Sequence, residues 1–176
     1  LHMELFDRKL DGDEWLDTAR AAHAAGFRSN VTMLYGHLER REERVEHMVK
    51  IRELQDETGG FLTFIPLSFH PESTDLDHLP PPTGQDDLRN IAVGRLMLDN
   101  VDHIKSFWIM NTAPVTQVAL WYGADDTDGT IQEYEITRDA ETNTRQVLTR
   151  AQLVDMISEA GREPVERDTL YNVVAA

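Results

Sequence analysis

Residues 30–72 read NVTMLYGHLE-RREERVEHMVKIRELQDETGG-FLTFIPLSFHPE. Two apolar, strand-like runs flank a charged segment of helical length, and each run ends in a turn-prone polar mouth: Tyr35-Gly36-His37-Leu38-Glu39 and His70-Pro71-Glu72. Strand, mouth, helix, strand, mouth is the pattern of a β/α barrel rim, where active sites collect at the carboxyl ends of parallel strands. The helix spans about Glu42 to Glu57, with Val45, Met48, Val49, Ile51 and Leu54 as its apolar side and Gly59-Gly60 as its stop. Phe61 to Phe69 is rich in β-branched and aromatic residues and poor in charge, as a strand buried on both faces should be.

Working outward, Asp11 stands three residues before Glu14, the spacing of a capping box, and opens a helix that Gly26 ends. A loop from His70 to Gln85, stiffened by Pro80-Pro81-Pro82, is long enough to be a functional lid. Thr83 or Gly84 caps a helix over Asp86–Asp99. His103 to Met110 is expected as a third strand, Thr112 to Tyr122 as a short helix, and Ala124 to Thr130 as a polar strand end. Ile131 to Thr137 alternates like an exposed strand. Thr149 and Gln152 box a helix that ends at Gly161, and Pro164 to Val174 closes as an extended segment. Strands alternating with helices predict a parallel sheet with helices packed outside, an α/β partial (β/α) barrel, followed by a C-terminal helix and strand. At 176 residues the chain is shorter than the roughly 200–250 residues of a full barrel, so a partial barrel is expected. We expect one domain: residues 1–27 before the first strand, 28–127 as barrel units, 128–176 as an extension.

The formal charge is −15 and there is no cysteine. The charge argues against a phosphate-reading nucleic-acid surface. The missing thiols exclude disulfides, thiolate zinc sites and a self-contained iron–sulfur site. No apolar run is long enough to span a membrane and no signal peptide is visible, so a cytoplasmic location is expected. Three lysines stand against fourteen arginines, and with 32 carboxylates this composition resembles that of salt-adapted proteins.

The polar mouths hold the candidate chemistry. Gly36 permits close backbone approach to a flat ligand, and His37 is a proton donor or a carboxylate-orienting group. His70 and Glu72 suit acid–base work, but one His and one Glu are too few for a metal site, and none is expected. Asp125, Asp126 and Asp128 beside Gly129 suggest a cation or ribose hydroxyls, yet Ile136 stands where a calcium loop needs its last carboxylate. Arg167, Asp168 and Tyr171 could pair with a carboxylated substrate. Each group has a plainer reading: a capped strand end, a solvated acidic loop, or a surface ion pair.

TMLYGHLE (32–39), ERVEHMVKIRELQDETGGFLTFIPLSFHPE (43–72), LRNIAVGRLMLDN (88–100), GADDTDGT (123–130) and AGREPVERDTLYN (160–172) together resemble the C-terminal half of the aminofutalosine synthase family. These are radical S-adenosylmethionine enzymes of the futalosine route to menaquinone. Leu34-Tyr35-Gly36-His37, Leu67 after Ile65-Pro66, and Asp125 to Thr130 favour that family over the cyclic dehypoxanthine futalosine synthases and the deazaflavin synthases. The resemblance implies the fifth to eighth strands of the barrel. It places Thr32, Tyr35, Gly36 and Glu39 in a GxIxGxxE-type turn beside the cofactor adenine, with Ile65 and Pro66 as neighbours. His37, His70, Asp128 and Arg167 are the implied catalytic candidates. The implied cofactors are S-adenosylmethionine and a 4Fe–4S cluster, whose CxxxCxxC loop is absent here. The implied reaction joins an adenosyl radical to a carboxyvinyloxy-benzoate. The expected partners are thus a small carboxylated substrate and the N-terminal half of the same enzyme, with neither nucleic acid nor membrane. A reading of another class is a non-catalytic barrel relic that acts as a binding module.

Overall fold

The computed structural model describes residues 9–130 and 147–174. The strand expected over Ile131 to Thr137 lies outside them. α1 (Gly12–Ala24) begins at Asp11, whose carboxylate accepts the N–H groups of Asp13 and Glu14, while Glu14 accepts the N–H of Asp11. Gly26, at φ 89°, turns the chain out of the helix. β1 (Ser29–Tyr35) follows, then α2 (Arg41–Thr58), where the Glu43 carboxylate accepts the Arg40 N–H at 2.7 Å. β2 (Phe61–Ser68) is buried along most of its length. Thr83 caps α3 (Gly84–Met97) by accepting the Asp86 N–H.

β3 (His103–Ser106) is shorter than the expected strand. Its apolar continuation instead winds into the single turn α4 (Trp108–Asn111), which is buried throughout. Periodicity cannot separate a short buried strand from a buried helical turn, because every side chain is apolar in both. Trp108, Ile109 and Met110 pack with Leu148, Leu153 and Met156 as a second core cluster. That cluster docks α6 (Arg150–Glu159), which is capped by Thr149 and Gln152. Thr112, at φ 71°, separates α4 from α5 (Ala113–Ala119), and β4 (Asp126–Thr127) follows. The expected C-terminal strand reduces to one antiparallel bridge, Arg167 to Val173, around a tight return.

The four strands are parallel in the order β1-β2-β3-β4. The sheet they form is open. One face carries the helices: Val31, Met33, Tyr35, Phe64 and Ile104 are sealed beneath Met48, Ile51, Leu54, Ile91 and Leu98. Gly94 lets α3 close on the sheet, since a Cβ there would lie 2.9 Å from the Phe64 ring. The opposite face is bare along β1, where Asn30 and Thr32 are exposed. Successive peptides point to opposite strand edges. The Tyr35 carbonyl accepts the Phe69 N–H from the β2 side, so the Thr32 carbonyl points to the free edge. His47 Nε2 donates to it there at 3.1 Å.

Candidate functional site

The mouth of β1 is built around Glu39. Its carboxylate accepts the N–H groups of Gly36 (2.6 Å) and His37 (2.9 Å) and the guanidinium of Arg44 (2.5 and 2.7 Å). Burial, the largest influence, would raise the Glu39 carboxyl, but its Gly36 and His37 neighbours together outweigh it and hold the group below its usual range. The turn is therefore locked from within. Gly36 is at φ +89°, and a Cβ on it would come within 2.1 Å of Pro82 Cγ, so the proline run of the long loop sits directly on the mouth. The Gly36 and His37 N–H groups are spent on Glu39.

His37 is almost fully buried and meets the Phe69 ring edge-on at 5.9 Å, which joins the two strand mouths. Its Nδ1 lies 3.0 Å from Glu39 Oε2 without the alignment of a hydrogen bond. His70 donates from Nε2 to the Met110 carbonyl (3.2 Å); the acceptor fixes the proton on Nε2 and leaves Nδ1 as a lone pair when the ring is neutral. Glu72 is exposed.

The period of two divides the other candidates between faces. Thr32 pairs in register with Ile65, and both side chains lie on the bare face. Met33 pairs with Pro66, and both are buried beneath the helices, as is Tyr35. The Tyr35 hydroxyl donates to Asp87 (2.5 Å) and accepts from Asn111 (3.2 Å). Burial first, then the Asp87 charge, raises the phenol, while burial also raises the Asp87 carboxyl. Tyr35 thus anchors α3 and α4 under the mouth. Sequence reading missed Asp87 and Asn111, since helix residues carry no mark of burial beyond their place on the inward stripe.

At the other end of the sheet a charged cluster assembles. Arg167 grips Asp126 through Nε (2.9 Å) and Nη2 (2.6 Å), and the Tyr171 hydroxyl donates to the same carboxylate at 2.6 Å. Tyr171 stacks on His103 at 3.9 Å between ring centroids, with the Arg167 guanidinium over its ring. Lys105, opposite Asp126 in register, bonds Asp128 Oδ1 at 3.2 Å. Burial raises the Asp128 carboxyl, opposed by Lys105, and its Oδ2 is buried without a hydrogen bond. Lys105 was not singled out in the sequence, although the alternation of β3 would place it opposite Ile104. The structure thus brings Asp128 and Arg167 into one cluster, and His37 and His70 to neighbouring strand mouths.

Among the described residues no three carboxylate or imidazole side chains gather to hold a metal ion. With no cysteine, the chain supplies no ligand of the kind a 4Fe–4S cluster takes. The residues present do not fit that group. No helix of the described residues is long and apolar enough to cross a membrane.

The chain is 49% identical to aminodeoxyfutalosine synthase of Thermus thermophilus over 94% of its own length and 46% of the relative's. Against the enzyme of that name from Streptomyces coelicolor it is 41% identical over 99% of its length and 48% of the relative's. Cyclic dehypoxanthine futalosine synthase from Streptomyces coelicolor is 40% identical over 93% of this chain and 40% of that protein. The chain spans about half the length of the curated relatives it matches. Residues 58–176 match the family model described as the CofH/MqnC C-terminal region, a span that holds Ile65, Pro66, His70, Asp128 and Arg167. With more than half of its residues inside that match, the chain belongs to the CofH/MqnC C-terminal family.

Proposed function

We propose that this chain forms the C-terminal part of an aminodeoxyfutalosine synthase, acting in menaquinone formation in the cytoplasm. The observation that carries the reading is the 49% identity to an aminodeoxyfutalosine synthase across 94% of the chain. The open parallel sheet supports it, because the face bearing Thr32 and Ile65, bare along β1, is the face a barrel turns inward. In this reading all 176 residues act as one domain, and residues outside the chain ligate the 4Fe–4S cluster. S-adenosylmethionine, when bound, supplies the adenosyl group that is joined to a carboxyvinyloxy-benzoate.

This chain's own residues hold and shape. Thr32 and Ile65 offer a step on the bare face for a planar ring, beside the turn that Glu39 locks. His37 and His70 line the strand mouths as candidates for proton handling. Asp128 with Lys105 forms a polar wall, and Arg167 fixes the C-terminal return to β4. The test is turnover by the intact enzyme that contains this chain, reconstituted with its cluster and given S-adenosylmethionine and the benzoate. Mass-spectrometric detection of aminodeoxyfutalosine is the expected result. Conversion of dehypoxanthine futalosine instead would move the assignment to the cyclic synthases. No turnover of either substrate and no cleavage of S-adenosylmethionine by the reconstituted enzyme would leave the binding-module reading.

A further inference from the structure

Between the start of α2 and the proline run lies a cleft of about 320 Å³, lined by Gly36, His37, Arg41, Arg44, Leu79, Pro81, Asp86 and their neighbours. That is at the small end of ligand-site volumes, roughly 300–1,000 Å³. Its walls differ in kind. Leu79 and Pro80-Pro81-Pro82 form an apolar, stiff side, with Pro82 pressed against Gly36. The facing side is basic.

The charges can be counted in pairs. Glu39 is matched by Arg44 at 2.5 Å and Asp86 by Arg89 at 3.0 Å. Arg40, next to the cleft, is matched by Glu43. Arg41 has no carboxylate partner among the described residues and is exposed at the cleft's edge. Among the described residues the cleft therefore carries one uncompensated positive charge, on a chain whose formal charge is −15. His37, buried at the cleft wall, adds an Nδ1 that makes no aligned hydrogen bond. One free guanidinium facing an apolar wall suits a monoanion with a flat apolar body. A carboxylate meets a guanidinium edge to edge with two parallel N–H···O bonds, whereas a dianionic phosphate would leave one charge unmatched and gain nothing from the proline wall.

We propose that this cleft binds the carboxylate of a small, flat apolar acid, with Arg41 as the residue that recognises it. The proposal deepens the synthase reading by assigning a carboxylate-recognition site, and it gains its biological meaning from that reading. Binding itself is measured without turnover. Failure here therefore leaves the synthase assignment standing, and failure of synthase turnover leaves the cleft standing.

The experiment is an amide-resolved NMR titration of the intact enzyme that contains this chain with benzoate, benzamide, acetate and inorganic phosphate at constant ionic strength. Benzoate is expected to shift the Gly36, His37 and Arg41 amides in a saturable way. Benzamide, which has the same body without the charge, should bind at least about tenfold more weakly, as should phosphate. Arg41→Ala should weaken benzoate at least about tenfold with an unchanged thermal midpoint, since an exposed residue in the first helical turn tolerates alanine. Arg41→Lys should restore part of the affinity. Leu79→Ser should weaken benzoate but leave acetate unaffected. Equal binding of benzamide would reduce the cleft to an apolar crevice, equal binding of phosphate would reduce it to general anion attraction, and undiminished binding by Arg41→Ala would remove Arg41. Any of these results overturns the proposal.

Discussion

At the scale of residues, the two ends of the sheet use buried carboxylates in opposite ways. Glu39 is saturated by donors and its carboxyl is held below its ordinary value of 4.5, despite the burial that opposes this. A depressed carboxyl stabilises the fold above the unfolded value, and that contribution is lost as pH falls through the folded one. Glu39→Gln should therefore cost about 2 kcal/mol at pH 7. The gap to wild type should close as pH drops below 4.5, when the wild-type group protonates. Urea midpoints from pH 7 to pH 3 read this directly, and a gap constant with pH would show that the loss is steric. Asp126 depends on partners that all lie far along the chain or across the sheet: Arg167, Tyr171 and Lys105. Arg167→Met would leave a buried carboxylate with its best partner gone, a loss of about 3 kcal/mol. Chemical denaturation should show a lower midpoint with an unchanged slope. A variant as stable as wild type would show that Lys105 and Tyr171 suffice.

At the scale of elements, α1 packs on the core through Trp15, Leu16 and Ala19 and is pinned near its end by one histidine. His23 meets Thr58 Oγ1 (2.8 Å) through Nδ1 and Ser29 Oγ (3.0 Å) through Nε2, and its ring lies edge-on to Phe61. Gly60 makes room for that ring, since a Cβ there would lie 2.2 Å from His23 Cγ. Gly60→Ala should displace His23 and cost about 1–3 kcal/mol, the usual price of overpacking. Faster hydrogen exchange in α1 than in α3 would accompany it. Unchanged exchange in α1 would show that the helix is held by Trp15 and Leu16 instead. The same element scale explains the shortened β3. The apolar run FWIM satisfies a strand and a buried turn equally, and the packing of Leu153 and Met156 selects the turn.

At the scale of the whole molecule, carboxylates outnumber basic side chains by 32 to 17. Many form exposed pairs such as Arg150–Glu166 and Lys50–Asp13, which salt screens without great loss. The uncompensated carboxylates repel one another, and screening that repulsion favours the compact state. The thermal midpoint should therefore rise from low to molar KCl. A midpoint that is flat or falls across that range would refute salt adaptation.

The sequence by itself determined the alternation of strands and helices, the caps at Asp11 and Thr149, a cap at Thr83 or Gly84, and the two polar mouths on neighbouring strands. These are local matters: side-chain periodicity and short-range hydrogen bonds act within a few residues, and the sequence displays them. It also carried the family, because long runs of residues match along nearly the whole chain. Tertiary structure alone decided which face each candidate occupies. The register of β1 against β2 put Thr32 and Ile65 on the bare face and turned Tyr35 and Pro66 beneath the helices. Long-range contacts tied Arg167 to Asp126 across 41 residues and set Arg41, without a carboxylate partner among the described residues, at a cleft walled by prolines. Whether a charge is free or consumed depends on partners distant in the chain, and only the folded arrangement brings them into range.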